Sequence, residues 1–185
     1  HIWCGYFRTK KRIYDVAFKL FDEFGYDKVK VSDIAKAANV SVGSVYYHYK
    51  NKEAIIDYGY YEFDQMLKEA YEKQTFDSER EAILFLIDFQ IKDVFLDIGL
   101  KMTTICFKNQ INAENTYLHS DERYLYQKLL ENLNNIQHMN KEHAAKMMLR
   151  ISRGSIYDWC CHNGSYDLIE AVHEEISIVL DYIGL

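Results

Sequence analysis

Proline is absent from the 185 residues, and glycine occurs only eight times. Sandwiches and barrels need frequent turn chemistry, so a chain this poor in both residues reads as long helices. It holds no apolar run of about 18 residues or more, which excludes a helical membrane span. Cys4, Cys106, Cys160 and Cys161 are too few and too irregularly spaced for a disulfide scaffold. The pattern reads as a reduced, cytoplasmic protein. No signal peptide is apparent, because residues 1–7 lack a long apolar core. The first residue is not Met, so residues 1–8 are expected to be a disordered or extraneous start. Signatures of catalysis are missing too: there is no phosphate-cradling glycine loop, nucleophile elbow or zinc-protease helix. In Cys160-Cys161-His162, neighbours on a helix point about 100° apart, which does not assemble a tetrahedral metal site. No enzyme activity, metal or cofactor is expected.

What is present is a core and a charge asymmetry. Apolar residues make up 49% and aromatics 15%, enough to bury a real interior. The formal charge is −6, yet residues 1–52 carry ten Lys/Arg against five Asp/Glu, a net of +5, leaving −11 on the rest. A basic first quarter on an acidic protein suits an anionic partner at one end only. A solvated helix start at Arg8, Lys10, Lys11 and Arg12 would give the same count, so the pattern of residues has to decide.

The periodicity predicts a helix capped by Thr9, with Ile13, Val16, Ala17, Leu20, Phe21 and Phe24 on one face and Gly25 at its exit. A short second helix has Val31, Ile34, Ala35 and Ala38 inside. Asn39-Val40-Ser41 is a turn, and Ser41 caps a third helix from Val42 to Tyr49, in which Val45 and Tyr49 point inward. Asn51 caps a fourth helix, whose apolar face begins at Ile55 and Ile56. Two short helices joined by a tight turn can set the second into a DNA major groove. Val42, Gly43 and Ser44 are small enough for close approach to base edges. Gly43 is otherwise hard to explain, since glycine inside a helix costs about 1 kcal/mol relative to alanine. Tyr46 and Tyr47 read as surface residues able to reach phosphates or bases. His48 is either a phosphate contact or a packed histidine. Lys52, at a helix start, suits a phosphate.

The stretch Val31-Ser-Asp-Ile-Ala-Lys-Ala-Ala-Asn-Val-Ser-Val-Gly-Ser-Val-Tyr-Tyr-His-Tyr-Lys-Asn-Lys-Glu resembles the DNA-binding signature of the tetracycline-repressor (TetR) family of transcription regulators. The resemblance spans Thr9 to Ile56. It implies that Val42, Gly43, Ser44 and Tyr47 read bases, that Tyr46, His48 and Lys52 contact the DNA backbone, and that Ser32 and Lys36 face the groove wall. Lys30 stands where the family often has a capping threonine; it can reach phosphate, but the cap must then come from elsewhere, such as Ser32 or water. Asn39 replaces a usual glycine and tolerates the left-handed conformation.

The remainder reads as an all-α effector-binding and dimerisation domain over residues 53–185, following a helix-turn-helix domain at 9–52. Helices are expected at Asn51–Lys73, from Asp77 onward with a break at Gly99, at Met102–Phe107, at Asp121–His138, at Lys141–Asn163 and at Asp167–Leu185, with a polar linker from Asn109 to Ser120. Two stripes on the last helices could fill one subunit or meet a second copy. The resemblance favours a homodimer built from Met147, Ile151, Ser155, Leu168, Val172, Ile176, Val179 and Leu180. It also implies a small-molecule effector, apolar or aromatic, among Phe63, Met66, Phe85, Phe89, Met102, Phe107, Tyr124 and Trp159. The function expected is a dimeric repressor released from a palindromic double-stranded operator by that effector. A helical protein-interaction module, or a regulator sensing thiol state through Cys106 or Cys160, is the alternative.

Overall fold

The computed structural model describes residues 2–112 and 117–185, with side chains left aside at 2–5, 93, 94 and 112. The expected linker residue Asn115 and the Cys4 side chain thus lie outside the described residues. All regular elements among the described residues are helical, as the lack of proline and glycine implied. They are α1 (Ile2–Phe24), α2 (Val31–Ala37), α3 (Val42–His48), α4 (Lys52–Tyr71), α5 (Glu79–Gln90), α6 (Asp97–Asn112), α7 (Tyr124–Glu131), α8 (Lys141–Cys161) and α9 (Leu168–Ile183). A π-helical turn spans Ile91–Leu96 and a 3-10 turn spans Tyr117–His119. The chain forms two compact units, His1–Tyr61 with Ile105–Leu118, and Glu62–Thr104 with His119–Leu185.

In the first unit, Ile13, Ala17 and Phe21 of α1 are buried, as are Ile34 and Ala35 of α2, Val45 of α3, and Ile55 and Ile56 of α4. The expected apolar face of α1 is therefore the one buried. Its start differs: α1 begins at Ile2, so Thr9 lies inside the helix instead of capping it. The start expected to be loose is helical from Ile2, and Tyr6 packs its ring on Tyr47 and His48 of α3 at 5.8 and 4.5 Å. Gly25 leaves α1 at φ 91°, and Asn39 turns between α2 and α3 at φ 52°.

The second unit is held by α8 against α9. Ala144, Met148, Ser152, Ile156 and Trp159 are buried on one, and Leu168, Val172, Ile176, Leu180 and Ile183 on the other. Asn140 and Asp167 cap the two helices, accepting the His143 and Glu170 amides at 2.7 and 3.0 Å. The long apolar helix expected from Asp77 is divided. α5 ends at Gln90, a π turn follows, and Gly99 leaves helical geometry at φ 77°, ψ 165°. Such a break frees carbonyls that need new donors. Thr103 supplies one, its hydroxyl donating at 2.9 Å to both the Phe95 and the Gly99 carbonyl.

The helix expected at Asp121–His138 is shorter, Tyr124–Glu131. Arg123, just before it, is extended at φ −59°, ψ 134° and buries its guanidinium against Asp64, at 2% and 1% side-chain exposure. Nη2 reaches Oδ1 at 2.7 Å, Nε reaches both carboxylate oxygens at 3.3 and 3.2 Å, and the Tyr124 amide adds 3.0 Å to Oδ2. The guanidinium also lies 5.3 Å from the Phe63 ring centroid. Removing one partner strands the other charge in the interior. Asp64→Ala should therefore lose about 3–5 kcal/mol in urea unfolding, and Asp64→Leu with Arg123→Met should recover most of it.

Candidate nucleic-acid interface

A seven-residue helix such as α3 does not hold itself together in water; it is fixed from both ends. At its start, the Ser41 hydroxyl accepts the Ser44 amide at 3.0 Å. At its end, the buried Tyr49 donates its hydroxyl to the Lys10 carbonyl of α1 at 2.9 Å. Val45 is buried between these ties. The other face is bare: Val42, Tyr46 and Tyr47 are 43%, 53% and 75% exposed, Gly43 is exposed and Ser44 half-buried. A Cβ added at Gly43 would meet only the Ser41 hydroxyl, at an ordinary 3.8 Å. Nothing within the fold requires glycine there.

Lys30, Ser32 and Lys36 of the α2 region are exposed. At the start of α2 the capping interaction runs from the third helical residue back to Lys30. The Asp33 carboxylate accepts the Lys30 amide at 2.8 Å, and its charge sits in the first turn, where it favours the helix. Acid at that position was the signal in the sequence that could have found it.

Two residues assigned to phosphate also have partners within the fold. Lys52 donates its ammonium to the Tyr26 and Val29 carbonyls at 2.8 and 3.1 Å, and lies 4.3 Å from the Tyr26 ring centroid. It ties the α1–α2 connection to the start of α4. The Tyr26 hydroxyl donates to the Glu53 carboxylate at 3.1 Å, and burial together with that negative neighbour pushes its pKa well up. His48 is a packed histidine: its ring meets Tyr6 and Tyr47 at 4.5 and 5.2 Å. Burial and the nearby Lys10 charge hold its pKa below the usual histidine range.

The residues assigned to an effector do not all converge. Within the second unit Phe63, Phe89 and Phe85 form a chain of rings 5.7 and 6.1 Å apart. Tyr71 continues it, 6.1 Å from Phe85 and 6.3 Å from Tyr124. Met102 and Trp159 are buried, but Met66 is 52% exposed and faces outward, while Phe107 belongs to the first unit. Of the residues assigned to a partner subunit, Leu168, Val172, Ile176, Val179 and Leu180 are buried within this one. Their stripe fills the subunit's own α8–α9 seam. Met147, Ile151 and Ser155 are half-buried, and Ile151 and Ser155 line an outer groove with Gly154 and Ile178.

A basic, helical head with a capped, anchored and half-naked reading helix defines the class of helix-turn-helix DNA-binding proteins. The profile of bacterial regulatory proteins of the tetR family matches residues 13–58. IcaR, the negative transcriptional regulator of the icaADBC biofilm operon from Staphylococcus epidermidis, is 28% identical over 124 residues, 60% of this chain and 66% of that one. The A-factor receptor protein of Streptomyces griseus is 40% identical over 48 residues, 26% of this chain and 17% of that protein. The chain thus spans less than two thirds of the length of either relative. Thermus thermophilus FadR, a TetR-family repressor solved with lauroyl-CoA, superposes at a TM-score of 0.68 with 19% identity over 94% of each chain. The head region thus carries the tetR-family DNA-binding profile, and the chain shares its fold with solved TetR-family regulators.

Losing the Lys52 hydrogen bonds leaves two carbonyls without a cationic donor. Lys52→Met should cost about 1–3 kcal/mol in chemical unfolding. The depressed His48 pKa disfavours the charged ring in the folded state, so its contribution is present above the unfolded pKa near 6.5 and is lost as pH falls from there through the lower folded-state pKa. The melting temperature should drop less between pH 7.5 and 5.5 in His48→Gln than in the unaltered protein.

Proposed function

We propose that this protein is a dimeric, sequence-specific transcriptional repressor that reads a palindromic operator with α3 and leaves it when a small apolar or aromatic molecule binds. Residues 9–52 would form the reading head and residues 53–185 the effector-binding and dimerising body. Gly43 carries the reading. The fold has room for a side chain there and would gain from one, so its absence is best accounted for by a surface that must come close to α3. Base edges approached by the first turn of a helix make that demand. Val42, Ser44 and Tyr47 stand beside Gly43 on the bare face, with Tyr46, Lys30, Ser32 and Lys36 placed for phosphates and groove walls.

One seven-residue helix reads few bases, and two copies about 34–36 Å apart read successive major grooves. The outer face of α8 and α9 supports the pairing. Ile178, which shares an outer groove with the small Gly154, is 69% exposed, and Tyr157 and Tyr182 are more than half exposed. These replace the buried stripe as the contacts to a second copy. The ring chain from Phe63 to Tyr124, with Met102 and Trp159, would receive the effector. FadR of Thermus thermophilus binding lauroyl-CoA fits an apolar ligand. An effector that displaces α4, which runs from Lys52 to Tyr71, would upset the spacing of the two readers. A cytoplasmic location follows from a DNA target. Burial raises the Cys160 pKa and Cys106 is buried, which disfavours thiol sensing by either.

Selection of bound duplexes from a random pool tests the reading, with a palindrome of half-sites about one helical turn apart expected. Bulk binding without preference, falling with salt alone, would instead fit a module for some other anion. Gly43→Ala should keep or raise thermal stability, by up to about 1 kcal/mol, while weakening the selected duplex by roughly tenfold or more.

A further inference from the structure

A cleft of about 350 Å³ lies within the first unit, lined from α1, the end of α3, the first turns of α4 and Tyr117. That volume is at the small end of ordinary ligand sites, which run about 300–1,000 Å³. Of the residues assigned to DNA, only His48 lines it. Its walls are flat: Tyr58 and Tyr61 stack with centroids 5.4 Å apart and planes 27° from parallel. Its cations are Lys10, whose ammonium stands 4.6 Å from the Tyr58 centroid, and the exposed Lys50. Against these two stands one lining carboxylate, Asp57, whose oxygens accept the Tyr117 amide at 3.1 and 3.3 Å. The His48 Nδ1 is shielded from solvent and has no hydrogen-bond partner among the described residues. Its ring torsion is broad, so a small turn presents that nitrogen to an occupant.

We propose that this cleft binds a small aromatic carboxylate, its ring against Tyr58 and Tyr61 and its charge directed to Lys10 and Lys50. An aromatic amine would meet two like charges, and a bare inorganic anion would leave the ring walls uncovered. All of its lining residues belong to the first unit.

The probe is sodium 2-naphthoate, titrated calorimetrically into the full chain, with the uncharged 2-naphthamide alongside. One naphthoate per chain should bind, roughly tenfold or more tighter than the amide, as loss of a charge-assisted contact implies. Lys50→Glu should weaken naphthoate by a similar factor while the far-ultraviolet dichroism stays unchanged. Nuclear Overhauser contacts should run from the naphthyl protons to the Tyr58 and Tyr61 rings. Equal affinity for acid and amide, unchanged binding in Lys50→Glu, no binding at all, or contacts to Phe85 and Phe89 alone would each overturn the assignment. No DNA enters the measurement, so its outcome is separate from that of the operator selection.

Discussion

The bond from the Tyr49 hydroxyl to the Lys10 carbonyl and the burial of Val45 beside it fix everything a DNA surface would touch. A helix as short as α3 has too few internal bonds to persist alone. Two inward side chains must therefore hold it, and the remaining positions are released from any duty to the core. Val42, Gly43, Tyr46 and Tyr47 can then be chosen for what lies outside. The same economy explains Lys52, whose two carbonyl bonds hold the connection that precedes α2 and so keep α2 in place behind α3.

The second unit solves a different problem. Its last two helices run 21 and 16 residues, but the unit carries a buried arginine and a buried aspartate. Those charges are held by directional contacts: Nε and Nη2 bonds to the carboxylate, a backbone amide and an aromatic face. The pair also sets where α7 begins, since Arg123 must leave helical geometry to reach Asp64. Kinking at Gly99 follows the same logic, with Thr103 supplying the donor for two carbonyls. The buried carboxylate of Asp64 and the hydroxyl of Thr103 are thus both matched by groups close at hand.

The two units differ in what they leave outside. In the head, exposed aromatics and cations cluster around a small helix and a cleft, in keeping with the +5 charge of residues 1–52. On α8 and α9 the large apolar side chains left exposed are Ile178, Tyr157 and Tyr182, with Ile178 sharing a groove with Gly154. A large apolar side chain left bare next to a small one suits a close partner more than it suits water.

Much of the head was legible in the sequence because its signals are local. Ser41 and Asn51 cap helices within three residues of themselves, Asn39 and Gly25 turn the chain where they stand, and the inward period of Ile13, Ala17 and Phe21 is one helix's own property. Spacing also set Gly43 apart. What sequence could not supply depends on residues far apart in the chain. Lys52 looks like a phosphate ligand until the Tyr26 and Val29 carbonyls arrive beside it, and His48 can be read either as a phosphate contact or as packed until Tyr6 meets its ring. The stripe from Leu168 to Leu180 has the same pattern whether it faces a partner or its own subunit; only the packing of α8 across it decided that it faces inward, because a buried apolar surface does not record in its spacing which surface buried it.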